Sequence, residues 1–360
     1  MNELLQHIQA MIRTQGPISL ATYMGLALGH PKHGYYQSRD PFGAAGDFIT
    51  APEISQMFGE LIGLWCVQRW HDMGSPRAFM LCELGPGRGT LMVDALRAAR
   101  IAPDFVNAAQ LHLVETSRAL RECQQASIRR IITWHDTVAD LPALPALIIA
   151  NEFFDALPIR QFQRTSNGWH ERMVTVDPVT EQLCFALSPV PVREDQIPSA
   201  AIRAAPEGAI AETCPAGQGI AASLGAHLAA HGGAALIIDY GPAMSAPGDS
   251  FQAVRGHGYC DPLQNPGFAD LTAHVDFQCL AQAGRDGGCH TDGPLSQGQF
   301  LLQLGLGARA GRLSQNAPPD EQEAVTSAFH RLTAPHEMGK LFKVMALRHP
   351  DLSLSPGFEV

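Results

Sequence analysis

The sequence predicts a doubly wound, Rossmann-like α/β fold carrying an inserted lobe. Three observations lead there. Short, continuous apolar runs alternate with helical segments, which marks a parallel sheet covered on both faces. Polar and acidic residues follow the carboxyl ends of these runs, where open α/β sheets bind ligands. The stretch between the fourth and fifth runs, about eighty residues, is too long for a single crossover.

The segment MNELLQHIQAMIRTQG has apolar residues at helical spacing and stops at Gly16-Pro17. Ser19 is placed to cap a second helix reaching about Gly29. Residues 31–50 read as a Gly- and Pro-rich loop, and Pro52 and Glu53 suit the first turn of the helix that follows. The first core strand, Phe79–Cys82, enters a glycine-rich turn and a helix from Leu91 to about Arg100. The second, Leu111–Val114, ends at Glu115, and the third is Ile131–Trp134. The fourth, Ala146–Ala150, ends at Asn151-Glu152, and the fifth, Ala235–Ile238, ends at Asp239. Between these two, Gly168–Val174 and Leu183–Leu187 read as a hairpin and Gly217–Ala230 as a helix. A second insertion, rich in Gly, Pro and His, precedes a last core strand at Phe342–Leu347. The expected organisation is therefore amino-terminal helices and a covering loop (1–50), a core (51–160), and a hairpin and helix lobe (161–230). A returning core strand (231–250), a second insertion (251–335) and a closing strand with tail (336–360) follow.

A chain of 360 residues exceeds what one hydrophobic core usually serves, in keeping with a core plus a lobe. No apolar run reaches the length of a membrane span. The net charge of −10 argues against nucleic acid as a partner, though not against a cationic one. The eight cysteines stand singly, without a CxxC pair, and the fifteen histidines show neither HxH nor HExxH spacing, so no metal is expected. Reduced thiols and the absence of a signal-peptide core make the cytoplasm the expected location.

The sharpest local signal is Glu83-Leu84-Gly85-Pro86-Gly87-Arg88-Gly89-Thr90, between a strand and a helix. Its spacing is G-x-G-x-G, whereas a dinucleotide fingerprint has Gly where Thr90 stands. Pro86 removes one amide from the loop, and an acid ahead of the glycines repels a diphosphate. Glu83 suits instead a ligand with an ammonium group and a sulfonium. Glu115 can accept from both hydroxyls of a ribose, a role open to NAD as well as to S-adenosyl-L-methionine. Asp136 can accept from an adenine amino group. The competing explanations are a plain tight turn, a solvated acid at a helix start, and a helix cap.

Several separated segments support a family resemblance: GPISLATYMGLALGHPKHGYY (16–36), GDFITAPEISQMFGELIG (46–63), ELGPGRGTL (83–91), NEFFDALPIRQF (151–162), IIDYG (237–241), DLTAHVDF (270–277) and MGKLFKVM (338–345). In these the chain resembles the MidA-type, class I S-adenosylmethionine-dependent methyltransferases, relatives of the mitochondrial arginine methyltransferase known as complex I assembly factor 7. The resemblance implies a class I methyltransferase sheet with a substrate-side lobe, and S-adenosyl-L-methionine as cofactor. It places the cofactor loop on Glu83, Gly85, Gly87 and Gly89, and the ribose acid on Glu115. Asp47 and Thr50, in GDFITAPEIS, are expected to face the cofactor. A protein arginine is the implied acceptor, in a respiratory complex I subunit if the mitochondrial relative is a guide.

For a guanidinium acceptor, carboxylates can hold the cation and localise its charge away from the reacting nitrogen. Asn151, Glu152 and Asp155 follow the fourth strand, and Glu152 and Asp155 are three apart, sharing one side of a helical first turn. Phe153 and Phe154 wall off water or belong to the core. His274 and Asp276 alternate, which puts both on one face of an extended segment as a base pair, a clamp or a structural pair. The alternatives to this function are a dinucleotide oxidoreductase, a methyltransferase acting on a small molecule, and a cofactor-binding assembly factor with little catalysis.

Overall fold

The computed structural model describes residues 2–38 and 50–359, and the chain divides into two compact units. The core unit comprises residues 49–154, 219–243 and 280–360. Its strands are β1 (Phe79–Leu84), β2 (Ala109–Val114), β3 (Ile132–His135), β4 (Ala146–Asn151), β5 (Gly233–Tyr240), β6 (His290–Ser296) and β7 (Phe342–Arg348). They form one seven-stranded sheet in the order β6-β7-β5-β4-β1-β2-β3. The pairs among β1 to β5 are parallel, and β7 runs antiparallel to both β5 and β6.

Every residue of β1 and β4 is buried, which explains why these strands read as unbroken apolar runs. The helix Gln56–Asp72 covers one face with Phe58, Leu61, Ile62 and Trp65, packed in one core with Leu81, Leu113, Ile149 and Leu236. Its Gly59 and Gly63 admit the glycine-loop helix Thr90–Ala98 very closely. A Cβ on Gly63 would stand 2.4 Å from the Ala95 carbonyl oxygen. On the opposite face, Gly284 of the helix Phe277–Asp286 sits against Leu347 of β7. β1 and β4 are adjacent, and the winding reverses between them. The crevice past their carboxyl ends is thus the topological switch point of the sheet.

The second unit gathers residues 1–48, 155–218 and 244–279. Helices Glu3–Gln15 and Leu20–Gly29 bury Leu4, Ile8, Ile12, Tyr23 and Met24, and the Ser19 hydroxyl caps the second by accepting from Thr22 N. The expected hairpin is present as Gly168–Val176 and Leu183–Leu187, within an antiparallel sheet that also takes in Ile18–Ser19, Arg160–Thr165 and Ile210–Thr213. A three-stranded sheet holds Gln252–Arg255, Gly258–Cys260 and Asp270–Thr272. The stretch 251–335, expected as one insertion, is split between the units at Cys279 and Leu280. Its latter part supplies β6 and the helices Gln297–Gln303, Leu306–Ser314 and Pro319–Thr333 of the core unit. Among the described residues no helix is long and apolar enough to cross a membrane.

Candidate active site

β1 delivers Glu83 to the switch point, and the chain then turns through Gly85, Gly87 and Gly89 at φ of 60°, 53° and 83°. Side chains rarely adopt this left-handed region, so three glycines in five residues make the turn possible. Gly85 also has a steric reason, because a Cβ there would lie 2.9 Å from Cδ2 of Phe153. Glu83 is 3% exposed, and its Oε2 is buried without a hydrogen-bond partner. Burial alone pushes its carboxyl up to about 8. A buried carboxyl in this condition is poised to ionise when a cation is brought beside it.

Glu115 lies one residue past β2. Its Oε1 accepts from Ser117 N at 2.7 Å and its Oε2 from Gln124 Nε2 at 3.3 Å. Burial raises the carboxyl pKa, against these hydrogen bonds, which lower it. Arg121 reaches back from the helix Arg118–Ile128 to donate to the Glu115 carbonyl oxygen and, at 2.6 Å, to Asp136 Oδ1. Asp136 is thus an exposed acid, one residue past β3 and paired with a guanidinium. Thr137, rather than Asp136, caps the short 3-10 turn that follows.

The end of β4 departs from expectation. No helix begins at Glu152, and Glu152 and Asp155 share no helical turn. The Glu152 amide continues the sheet by donating to Ile238 O of β5 at 2.9 Å, and its backbone adopts the left-handed region at φ 49°. The reason lies in Asp239, fully buried at the end of β5. Its Oδ2 accepts from Phe154 N at 2.9 Å, which bends the chain back where a helix would have continued. Glu152 Oε1 accepts from Ala51 N at 3.0 Å and from Asn151 Nδ2 at 3.1 Å. Asn151 is 8% exposed, and its Oδ1 is buried without a partner. Phe154 is core, whereas Phe153 is half-buried and packs edge-on to it.

Of the residues expected over the cofactor, Asp47 lies outside the described residues. Thr50 precedes the helix Ala51–Ile54, and its carbonyl accepts from Glu53 N and Ile54 N. Glu53 Oε1 accepts from Thr90 Oγ1 at 2.6 Å, tying this helix to the first residue of the glycine-loop helix. Asp155, His274 and Asp276 belong to the second unit. There Asp155 is buried, its carbonyl accepts from Ala273 N, and its charge is felt by Tyr36, whose phenol donates to Asp270. Asp276 stands just ahead of a helix. Its Oδ1 accepts from Cys279 N at 3.0 Å in the first turn of the helix Phe277–Asp286, and its Oδ2 takes the Ser245 hydroxyl at 2.6 Å. His274 is exposed and past the end of its strand, yet burial still alternates from Ala273 to Phe277, so His274 and Asp276 share the outward side that the spacing implied.

Residues 61–295 match the family described as "Putative S-adenosyl-L-methionine-dependent methyltransferase". The chain belongs to this methyltransferase family. It is 37% identical over 96% of its length to the zebrafish (Danio rerio) Protein arginine methyltransferase NDUFAF7, mitochondrial, covering 86% of that protein. Against the human (Homo sapiens) protein of the same name the identity is 36%, over 96% of this chain and 83% of the relative. A solved COG1565-superfamily member from Burkholderia thailandensis, bound to S-adenosyl-homocysteine, superposes with a TM-score of 0.86 at 27% identity, covering 99% of this chain and 94% of that one.

The methyltransferase uses S-adenosyl-L-methionine, and the residues at the switch point fit that molecule. The buried Glu83 Oε2 awaits a donor, and Glu83 can balance an ammonium. The dinucleotide oxidoreductase is excluded by the same family assignment. The expected cytoplasmic location is corrected by the relatives, which are named as mitochondrial proteins. Gln124 and Asp239 were not singled out as functional from the sequence. A signal existed for Gln124, which interrupts the apolar stripe Leu120–Ile128 of its helix.

Proposed function

We propose that the enzyme methylates an arginine side chain of a partner protein, with Asn151 and Glu152 on the acceptor side of its cofactor. The observation that carries this is the backbone of Glu152, a left-handed residue other than glycine at the switch point. Such strain costs about 1–3 kcal/mol and persists where the side chain must be aimed. Ala51 N and Asn151 Nδ2 hold one carboxylate oxygen in place. A carboxylate fixed in this way orients a guanidinium and draws its positive charge from the nitrogen that reacts. When bound, S-adenosyl-L-methionine supplies the electrophilic methyl group. Glu83 and the glycine loop are assigned to its amino-acid end and Glu115 to its ribose. The names of the curated relatives favour arginine as the acceptor. A subunit of respiratory complex I is the candidate partner by family likeness.

The test compares turnover with cofactor affinity in Glu152→Gln. Methyl transfer to an arginine-containing protein substrate should fall by orders of magnitude. Affinity for S-adenosylhomocysteine should stay near that of the parent. Full turnover, or equal loss of both quantities, refutes the acceptor-side role. Incubating the enzyme and labelled S-adenosyl-L-methionine with a lysate lacking the gene identifies the acceptor. Label outside arginine overturns the arginine reading.

A further inference from the structure

The helix Arg118–Ile128 touches both halves of the assigned cofactor site. It begins at Ser117, whose amide holds Glu115 Oε1. Near its end the Ser127 hydroxyl donates to Arg88 O at 3.0 Å, and a Cβ on Gly89 would meet Ile128 Cδ1 and Ser127 Oγ at 3.2 Å. Between them stands Gln124, completely buried on the apolar stripe. A glutamine there is costly unless each polar atom is satisfied, and here each is. Trp134 Nε1 donates to Gln124 Oε1 at 2.8 Å, which fixes which end of the amide is the oxygen. The amide nitrogen must then face the opposite way. Its two hydrogens go to Gly87 O at 2.8 Å and to Glu115 Oε2 at 3.3 Å.

We propose that Gln124 is a positioning residue that sets the glycine loop and the Glu115 carboxylate in a fixed relation, so that ribose recognition and loop conformation are one property. Gly87 O and Glu115 Oε2 are both acceptors, and without a donor between them they repel each other. Gln124 supplies that donor, and Trp134 keeps it from flipping. Backbone amides of Ser117 and Thr116 and the Gln124 side chain then hold the Glu115 carboxylate, whose oxygens retain lone pairs for the ribose hydroxyls. This proposal rests on the assignment of Glu115 to the ribose.

Calorimetry with S-adenosylhomocysteine tests it, using Gln124→Leu, Gln124→Glu, Glu115→Ala and the double variant Glu115→Ala/Gln124→Leu. Gln124→Leu should lose about tenfold in affinity, the size of one hydrogen bond to a charged group. In the double variant the second substitution should add little, because both act on one contact. Gln124→Glu supplies the reading a purely structural role would not give. Its introduced carboxyl donates only when protonated, so affinity should fall as pH rises, relative to the parent measured at the same pH. Parent-like affinity in Gln124→Leu, fully additive losses, or a Gln124→Glu pH profile parallel to that of the parent overturns the proposal. Should Gln124→Leu not fold, the Gln124→Glu profile decides by itself. Normal affinity in Glu115→Ala sinks the ribose assignment and this proposal together. A loss in Glu115→Ala with none in Gln124→Leu sinks this proposal only.

Discussion

Glu83 offers the most direct measurement of whether the switch point receives a cation. Its carboxyl, pushed up to about 8 by burial, is mostly protonated at neutral pH in the free enzyme. An ammonium group placed against it favours the ionised form, so binding must release a proton. At pH 6, two units below that value, ionising the carboxyl costs about 2.7 kcal/mol, which is roughly a hundredfold in affinity. Affinity for S-adenosylhomocysteine should therefore rise by about tenfold per pH unit from 6 towards 8, then level off. Calorimetry in buffers of different ionisation enthalpy counts the released proton directly. Glu83→Gln cannot ionise, and its binding should be nearly independent of pH over the same interval. Stability supplies a second reading. A carboxyl whose folded pKa lies above its unfolded value of 4.5 contributes stability that is complete below 4.5 and is lost as pH rises through about 8. The parent should thus weaken between those values by up to about 5 kcal/mol, and Glu83→Gln should not share that loss. Parent affinity that is flat from pH 6 to 8, with no proton released, would refute the reasoning.

Gly87→Val places a β-branched residue at φ 53° and should abolish S-adenosylhomocysteine binding in a protein whose circular dichroism is unchanged. Retained affinity in the folded variant removes the loop from the cofactor site. Gly63→Val forces a side chain against the Ala95 carbonyl, 2.4 Å from the new Cβ, and should lower stability by at least about 1–3 kcal/mol in denaturant unfolding. Asp276→Ala removes the cap of its helix, at about 1 kcal/mol, and should leave turnover per folded molecule unchanged. A large fall in turnover without a fall in stability would return Asp276 to the chemistry.

β1, β4 and β5 were legible because they are buried on both faces and leave little room for polar residues. β6, His290–Ser296, was not, since its sequence HTDGPLS carries no such pattern. Its place at the edge beside β7 tolerates polar residues, and Asp292 is held by Arg348. The small antiparallel sheet was only partly legible. Its hairpin partners are neighbours in sequence, whereas Ile18–Ser19 pairs with Met173 and Val174, a distance no local pattern encodes. Glu83 and Glu115 stand at strand ends, and apolar runs announce strand ends plainly. The conformation of Glu152 was hidden because it is dictated by Asp239, far along the chain, which accepts from Phe154 N. Spacing alone made Glu152 and Asp155 a helical pair, whereas hydrogen bonding to β5 made the segment a bend.

The insertion of β7 between β5 and β6 has a consequence for how a ribosome makes this protein. β1 to β5 leave the exit tunnel in order, and β1 to β4 alone bring together the glycine loop, Glu115 and Asn151. β5 must then wait through residues 241–341 before its antiparallel neighbour is translated, and β6 emerges earlier with nothing to pair against. Throughout that interval the nascent sheet presents the apolar edge of Ala234–Ile238 unpaired, the kind of surface that chaperones shield and that seeds aggregation. A stop codon or frameshift shortly before Phe342 would make this transient exposure permanent. Such products should be cleared as insoluble or proteolysed protein, although every assigned cofactor residue had already been synthesised.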